Sequence, residues 1–533
     1  MKIERLLLGL FASFLMVGCS QNDDLPNANE EANGKDSYIS VKICSPKDFG
    51  SRATGENDFA DAVGNEGTVK KAHFFFFNDN GQPVAVNDGK NYKAMDLSQD
   101  DDTDENGNTE SEIEAVVVLE KPEVTPSKMV VVLNWDYADA ALTLTNLVDQ
   151  VVLEAKALDA TNGFMMSNSV YYEGGIINAT AVTAEHFRSS SDLALQNPVT
   201  AYVERLAVKV TSSLNTDNNT YYDSTLKGFD TGVSYKDANN NDVKIYAQVL
   251  GWQLNTTNPK SYLVKKLDAN WGTTSPFADW NEPGKFRSYW GISHATSATE
   301  FEDSKKFKWE SIPSEMTGIE YCLENTTSTT TKAVFKAQLC TVDNNALKPV
   351  TIWQWYAKYY LTESDVLKDV LVQVNSEIDK LSTDAQYDLK VGDIVVDYAT
   401  ASTDPKDFYK VNFKLSTTKA DASVAGGKKY SEILSSVIPA KKWQDGATYY
   451  FTSIEHLNQE KAVIRNHAYQ LLVTQVVGLG TPANKPDPDP NTPDPEPEIP
   501  EPVDPSDTET YIAAKINVLS WRLVNNSVIL GKQ

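Results

Sequence analysis

One six-residue pattern occurs twice, once near each end of the chain, and it limits the available folds more than any other feature. Residues 38–43 read YISVKI and residues 511–516 read YIAAKI, identical at four of six positions. Both alternate. In the first, Ile39, Val41 and Ile43 share one face. In the second, Ile512, Ala514, Ile516 and Val518 share one face, and Ala513, Lys515, Asn517 and Leu519 the other. Period two with β-branched residues marks a half-buried strand. The second copy follows a long Pro- and acid-rich spacer, which sets it apart from any sheet it could easily join. Two strands of one pattern are two candidates for one slot. Copies that compete for such a slot are subunits of a polymer.

The spacer, 482–508, contains KPDPDPNTPDPEPEIPEPVDPSD. Proline favours polyproline II and like charges repel, so the segment is stiff and extended. At about 3.1 Å per residue it reaches on the order of 80 Å. A return hairpin needs far less; reaching a neighbouring molecule needs about that much.

The chain has 533 residues, enough for two or three domains with proper cores. A net charge of -26 disfavours nucleic acid, whose phosphates it would repel. Short strand-like runs separated by Asn, Asp, Gly and Pro outnumber helical patterns and point to mostly-β sandwiches. No H-E-x-x-H, G-x-S-x-G or Walker loop occurs. His186, His294, His456 and His467 lack metal-ligand spacing, and His73 reads as a structural strand residue. The expectation is a non-enzyme without cofactors.

Residues 1–19 have a charged start at Lys2 and Arg5 and an apolar run over 6–17. That run suits a signal peptide and is short for a bilayer span. It ends in LMVGC, which resembles a bacterial lipobox with Cys19 as the lipidated residue and Met16 where Leu is commoner. Acyl chains there would anchor the precursor to the outer membrane. Acidic residues just after the cysteine resemble the surface-export signal of Bacteroidetes lipoproteins. Residues 20–52 hold a polar tether, the first strand and a Gly- and Ser-containing loop of the kind proteases nick. In that loop Arg52 is the only arginine between Arg5 and Arg188. A trypsin-like cut between Arg52 and Ala53 would release lipid, tether and first strand together.

Residues 53–215 read as one β-sandwich, with strands over 68–77 and 199–210 and helical character over 140–158. Residues 216–481 read as a second. Thr362 opens a helix whose apolar stripe is Val366, Leu367, Val370, Leu371 and Val374. Asp102, Asp104 and Asn106 match the first half of a calcium loop, but Ile113 stands where its closing glutamate belongs. The better reading there is a solvated acidic turn. Cys322 and Cys340 are a candidate disulfide in an exported protein, weighed evenly against two buried thiols. Trp353, Trp355, Tyr356, Tyr359 and Tyr360 fit a sheet and its core better than a sugar-stacking platform.

The chain resembles the fimbrillin family of Bacteroidetes type V pili, closest to the shaft subunit of the short fimbriae. The resemblance runs through the lipobox, SYISVKI at 37–43, GSRA at 50–53, VERLAVKV at 203–210, FRSYW at 286–290, VIRNHAYQLLVTQVVGLGTP at 463–482, the linker, and TYIAAKINVLSW at 510–521. It implies two tandem transthyretin-like antiparallel β-sandwich domains with a few short helices, plus a C-terminal donor strand at 509–533. It further implies export as a lipoprotein, cleavage at an arginine after the first strand, and head-to-tail polymerisation by strand exchange. The expected location is the fimbrium, reached by way of an outer-membrane lipoprotein. The expected partners are other copies of the chain, anchor and tip fimbrial subunits, and host or bacterial surface ligands met in adhesion and biofilm. Two alternatives fit fewer of these features: a surface glycan-binding lipoprotein, and an anchor or tip subunit.

Overall fold

A computed structural model describes residues 37–44, 64–97, 112–120, 122–159, 161–172, 175–269, 291–297, 300–301, 309–398, 409–417, 419, 422–425, 427–456, 461–483, 511–519 and 523–527. Cys19, Arg52, Ala53, Asp102, Asp104 and Asn106 lie outside the described residues.

The protein is mostly β. The main sheet of its first half runs in the order Tyr92–Asp96, Lys71–Phe77, Lys128–Leu133, Met166–Asn168, Val199–Arg205, Ser37–Cys44, Glu112–Leu119. The sheet curls until its two outer strands approach each other. Its inner face closes on Phe74, Phe76, Val117, Met129, Val131 and Val199. At the hairpin 78–81, Gly81 takes φ 71° and donates its N–H to the Asn78 carbonyl at 2.9 Å. Asn and Gly adopt such turns readily. The 140–158 stretch folds as two short helices, Leu144–Val148 and Glu154–Ala157, on either side of the strand Val151–Leu153.

The second half is a two-layer sandwich. One layer holds Tyr222–Asp223, Gly228–Lys236, Asp242–Asn255, Lys332–Asp343, Ala447–Ser453 and Thr481–Pro482. The other holds Ile319–Leu323, Ala207–Leu214, Ala468–Val477, Tyr511–Leu519 and Leu523–Ser527. Val208, Val210, Trp252, Phe335, Tyr450 and Leu471 fill the space between them. A third unit is inserted between the strands of the first layer. There the helix Glu363–Asp379 packs on a sheet that includes Ile352–Trp355 and Lys410–Leu415. Thr362 caps this helix, and Val366, Val370, Val374 and Ile378 are its buried stripe, one residue per turn as the period requires. Trp353 and Trp355 are buried in that core while Tyr356 projects, as core residues rather than a stacking platform.

Three expectations change. The strand read over 199–210 breaks at Leu206. Val199–Arg205 stays in the first sheet, whereas Ala207–Leu214 pairs with Ile319–Leu323 and Ala468–Val477 in the second. The switch between halves therefore falls nine residues ahead of position 215. The sheets are also not purely antiparallel. Ser37–Cys44 runs parallel to Val199–Arg205, and Ala207–Leu214 runs parallel to Ala468–Val477. In both pairs the two strands are far apart in sequence, and the long intervening chain supplies the crossover that a parallel pair demands. Finally, Cys322 and Cys340 are separate buried free thiols rather than a disulfide. Burial pushes Cys322 well up and Cys340 up to about 12, which leaves both in the unreactive thiol form.

The halves meet over a shared core of Phe75, Val130, Leu206, Leu263, Val264 and Leu323. Glu154 sits at this seam, where its helix meets Ile319–Leu323. Burial there pushes its carboxyl up to about 7. The folded state therefore holds this proton more tightly than the unfolded chain. The stability it contributes is complete below about pH 4.5 and is lost as pH rises through about 7. Glu154→Gln is expected to raise Tm at pH 8, at about 2–4 °C for each kcal/mol relieved, with little change at pH 4. Thermal melts at the two pH values check it, and equal melts at pH 8 would refute it.

Candidate assembly site

The slot that the front strand occupies is built as follows. The front strand Ser37–Cys44 is enclosed on both edges. On one edge it pairs antiparallel with Glu112–Leu119 over its whole length, Ser37 opposite Leu119 and Cys44 opposite Glu112. On the other it runs parallel to Val199–Arg205, from Val41 beside Val199 to Cys44 beside Tyr202. Ile39 and Val41 are both 0% exposed and belong to the inner core. Ile43 takes its place in the ladder opposite Ile113 and Ala201. Taking this strand away opens a cleft between two strands that both lose a partner.

A feature not anticipated from the sequence begins at the strand's edge, ahead of its pairing with Val199–Arg205. The Tyr38 N–H donates to the Arg188 carbonyl at 2.7 Å, and the Arg188 N–H donates back to the Tyr38 carbonyl at 2.8 Å. The chain then forms the short helix Ser191–Leu195, capped by the Ser190 hydroxyl, and returns to the front strand's edge at Val199. The helix approaches both the front strand and Glu112–Leu119, so it crosses from one to the other. Ala194, its buried residue, is absent from the inner core, which places the helix on the outer face. Beneath it Ser40 is 0% exposed, although Tyr38 and Lys42 on the same face are only half-buried. Residues 188–199 thus form a strap over the slot. Neither the Ser190 cap nor the helix's position over the first strand was read from the sequence.

The tail strand Tyr511–Leu519 is not set apart from its own molecule, as its spacer had implied. It pairs antiparallel with Ala468–Val477 of the same chain, and Leu523–Ser527 folds back on it as a further strand. The spacer is long enough to allow the return, and Ala468–Val477 offers an open edge there. Ile512, Ala514, Ile516 and Val518 stand opposite Val476, Val473, Leu471 and Tyr469, each of which is 0% exposed. An extra residue at Thr474 shifts the register. This bulge keeps the alternation of both strands in phase past that point.

The two ends of the molecule are joined through the segment around Leu206. The motif 465–467, Arg-Asn-His, pins it. Asn466 accepts the Arg205 N–H at 3.2 Å and donates its own N–H to the Ala207 carbonyl at 2.8 Å. The Arg465 guanidinium, fully buried, pairs with Glu324 and donates to Ser261 at 2.9 Å and to the Tyr262 carbonyl at 2.7 Å. Lys265 and Glu204 form a second buried pair at 2.6 Å. Glu66 accepts from Lys209 at 2.5 Å and from Tyr321 at 2.7 Å, while its carbonyl accepts from Arg205 at 2.6 Å. Removing one member of such a buried pair costs several kcal/mol, about 3–5, so the junction holds the two halves in one orientation. His73 is likewise structural: its ring nitrogen lies 2.9 Å from the Tyr137 carbonyl, and burial lowers its pKa.

Residues 441–527 match the family described as major fimbrial subunit protein type IV, fimbrillin, C-terminal. That span takes in Ala468–Val477, the linker and the tail strand. No curated protein matches the sequence. Among solved structures, a fimbrillin from Porphyromonas gingivalis W83 is 14% identical, with a TM-score of 0.38 over 92% of this chain and 98% of that one. A candidate cell adhesion protein from Bacteroides eggerthii is 11% identical, with a TM-score of 0.36 over 93% and 98%. The tip fimbrial protein Mfa3 from Porphyromonas gingivalis is 10% identical, with a TM-score of 0.32 over 91% and 100%.

Proposed function

We propose, from the match of residues 441–527 to the fimbrillin C-terminal family, that the protein is the structural shaft subunit of a surface fimbria. It is exported as a lipoprotein on Cys19 and cleaved after Arg52. It then polymerises head-to-tail when the tail strand of one copy enters the slot vacated by the front strand of the next. The fimbria serves adhesion and biofilm formation, with anchor and tip subunits at its ends. The observation that carries this reading is the enclosure of Ser37–Cys44 on both edges, together with a tail that repeats its pattern.

Losing the front strand strips Ile39 and Val41 from the core at roughly 1.5–3 kcal/mol each. It also removes two ladders of hydrogen bonds at about 1 kcal/mol net per bond. The total is on the order of 10 kcal/mol, comparable with the whole stability of a domain. A cut subunit therefore demands a replacement. On its own molecule the tail strand already lies between Ala468–Val477 and Leu523–Ser527, so what favours exchange is the acceptor's empty slot and the core it would regain, not a better place for the tail. Odd register slips would turn the apolar face outward. Slot and tail belong to different halves of the subunit, so the contact is heterologous and grows a filament. A copy with both a removable front strand and a tail belongs in the shaft, between the ends.

One refinement separates slot from tail. At the position of Val41, wedged between Ala115 and Val199, the tail carries the smaller Ala514. Ala514→Val should fill that space and strengthen the joint by about 1 kcal/mol, roughly a fivefold to tenfold gain. The readout is the temperature at which polymers dissociate in SDS. A lower or unchanged temperature would show that the tail does not occupy this place.

A further inference from the structure

We propose that the strap 188–199 selects the incoming strand by the size of one residue, and that Ala513 of the neighbouring copy is the residue it selects. The inference rests on the exchange reading above and supplies what alternation alone does not. An apolar face repeating every two residues excludes odd slips of register and leaves even slips open. The strap distinguishes those. Beneath it the front strand places Ser40, fully buried on a face where its neighbours Tyr38 and Lys42 are half-exposed. Matching YIAAKI to YISVKI puts Ala513 at this position, with Tyr511 and Lys515 at the two roomier ones. A slip of two residues either way would drive Tyr511 or Lys515 under the helix Ser191–Leu195. A phenol ring overfills a space shaped for a hydroxymethyl group, and an ammonium there would be desolvated. Only the matched register leaves a small residue below the strap.

The two hydrogen bonds that hold the strap's start to Tyr38 involve backbone atoms only. Tyr511 can reproduce them without any change of side chain. In the tail's own-chain position Ala513 stands opposite Gln475, a half-buried residue. The monomer's melting temperature therefore serves as the control for size at this position outside the slot.

The experiment compares Ala513→Trp, Ala513→Ser and a chain lacking residues 506–533, each as the full precursor processed at Arg52. Ala513→Ser should polymerise normally. Ala513→Trp should keep the monomer's melting temperature and yield about 10- to 100-fold less polymer, the loss an overpacked residue implies. Polymer from Ala513→Trp at the normal level, with none from the deleted chain, would overturn the strap proposal and leave strand exchange standing. Normal polymer from the deleted chain would remove both.

Discussion

A chain ending at Pro505 is expected to fold and be exported as a lipidated precursor, and never to polymerise. The deletion removes Tyr511–Leu519 and Leu523–Ser527 and leaves Ala468–Val477 paired with Ala207–Leu214. The second sandwich therefore keeps its core between Val210, Phe335 and Leu471. Its melting temperature should drop only modestly. Polymerisation should be lost outright. If the donated strand supplies on the order of 10 kcal/mol, its removal weakens the joint by about seven orders of magnitude. Electron microscopy of surface material and SDS ladders read the result directly. The deleted chain also retains a slot. Once processed, it should accept a tail from an intact copy and offer none onward, so small amounts mixed with intact subunits should shorten filaments. Filaments of ordinary length from the deleted chain alone would end the donor reading.

On the exchange reading the tail has two positions, and one sequence can serve both. Opposite Val476, Val473, Leu471 and Tyr469 it shields the edge of its own second sandwich. In a neighbour it would lie between Glu112–Leu119 and Val199–Arg205. The same alternation satisfies both positions, because each presents a buried apolar face of period two. By its length in residues the spacer would let the tail reach either. On the proposed reading, what decides between them is whether a slot is vacant, and proteolysis after Arg52 would vacate it.

Much of this arrangement was legible in the residues. Alternation at Ile39 and Val41 announced a buried strand, and the repeat of that alternation at 512–518 announced a second strand. The helix at 363–379 followed from its cap and its stripe. The break at Leu206 was written in the sequence too, in a less obvious way. The apolar phase runs Val199, Ala201, Val203 and then shifts to Leu206, Val208, Val210, which marks the passage from one sheet to the other. The strap was not legible, because its cap and its short helix are local features. Its meaning lies in a crossing over a strand about 150 residues earlier, which no local pattern encodes. Nor could the sequence say that the tail would pair with Ala468–Val477, since an edge strand advertises itself only once the sheet is built. The buried partners of Arg465 were hidden for the same reason: Glu324 and Ser261 come from distant segments.

The second large effect is expected at position 52. Arg52→Ala should trap the precursor as a monomer with its front strand in place. Ser37–Cys44 is held by ladders on both edges and by the reciprocal pair at Tyr38 and Arg188. A tail arriving from another copy would have to displace a strand already satisfied, with no gain in burial to drive it. The front strand is also attached to the chain on its C-terminal side, which makes its effective concentration at the slot very high, on the order of millimolar or more. Cutting at Arg52 removes that attachment. The strand can then leave for good, and an exchange that was neutral becomes downhill. Mass spectrometry of the Arg52→Ala protein should find residues 20–52 retained, and size-exclusion chromatography should find it monomeric. Replacing 49–53 with the recognition sequence of an unrelated protease and then adding that protease should restore polymerisation. Fibres from Arg52→Ala that still carry the front segment would show that the strand need not be cut away, and the proposed order of events would have to be abandoned.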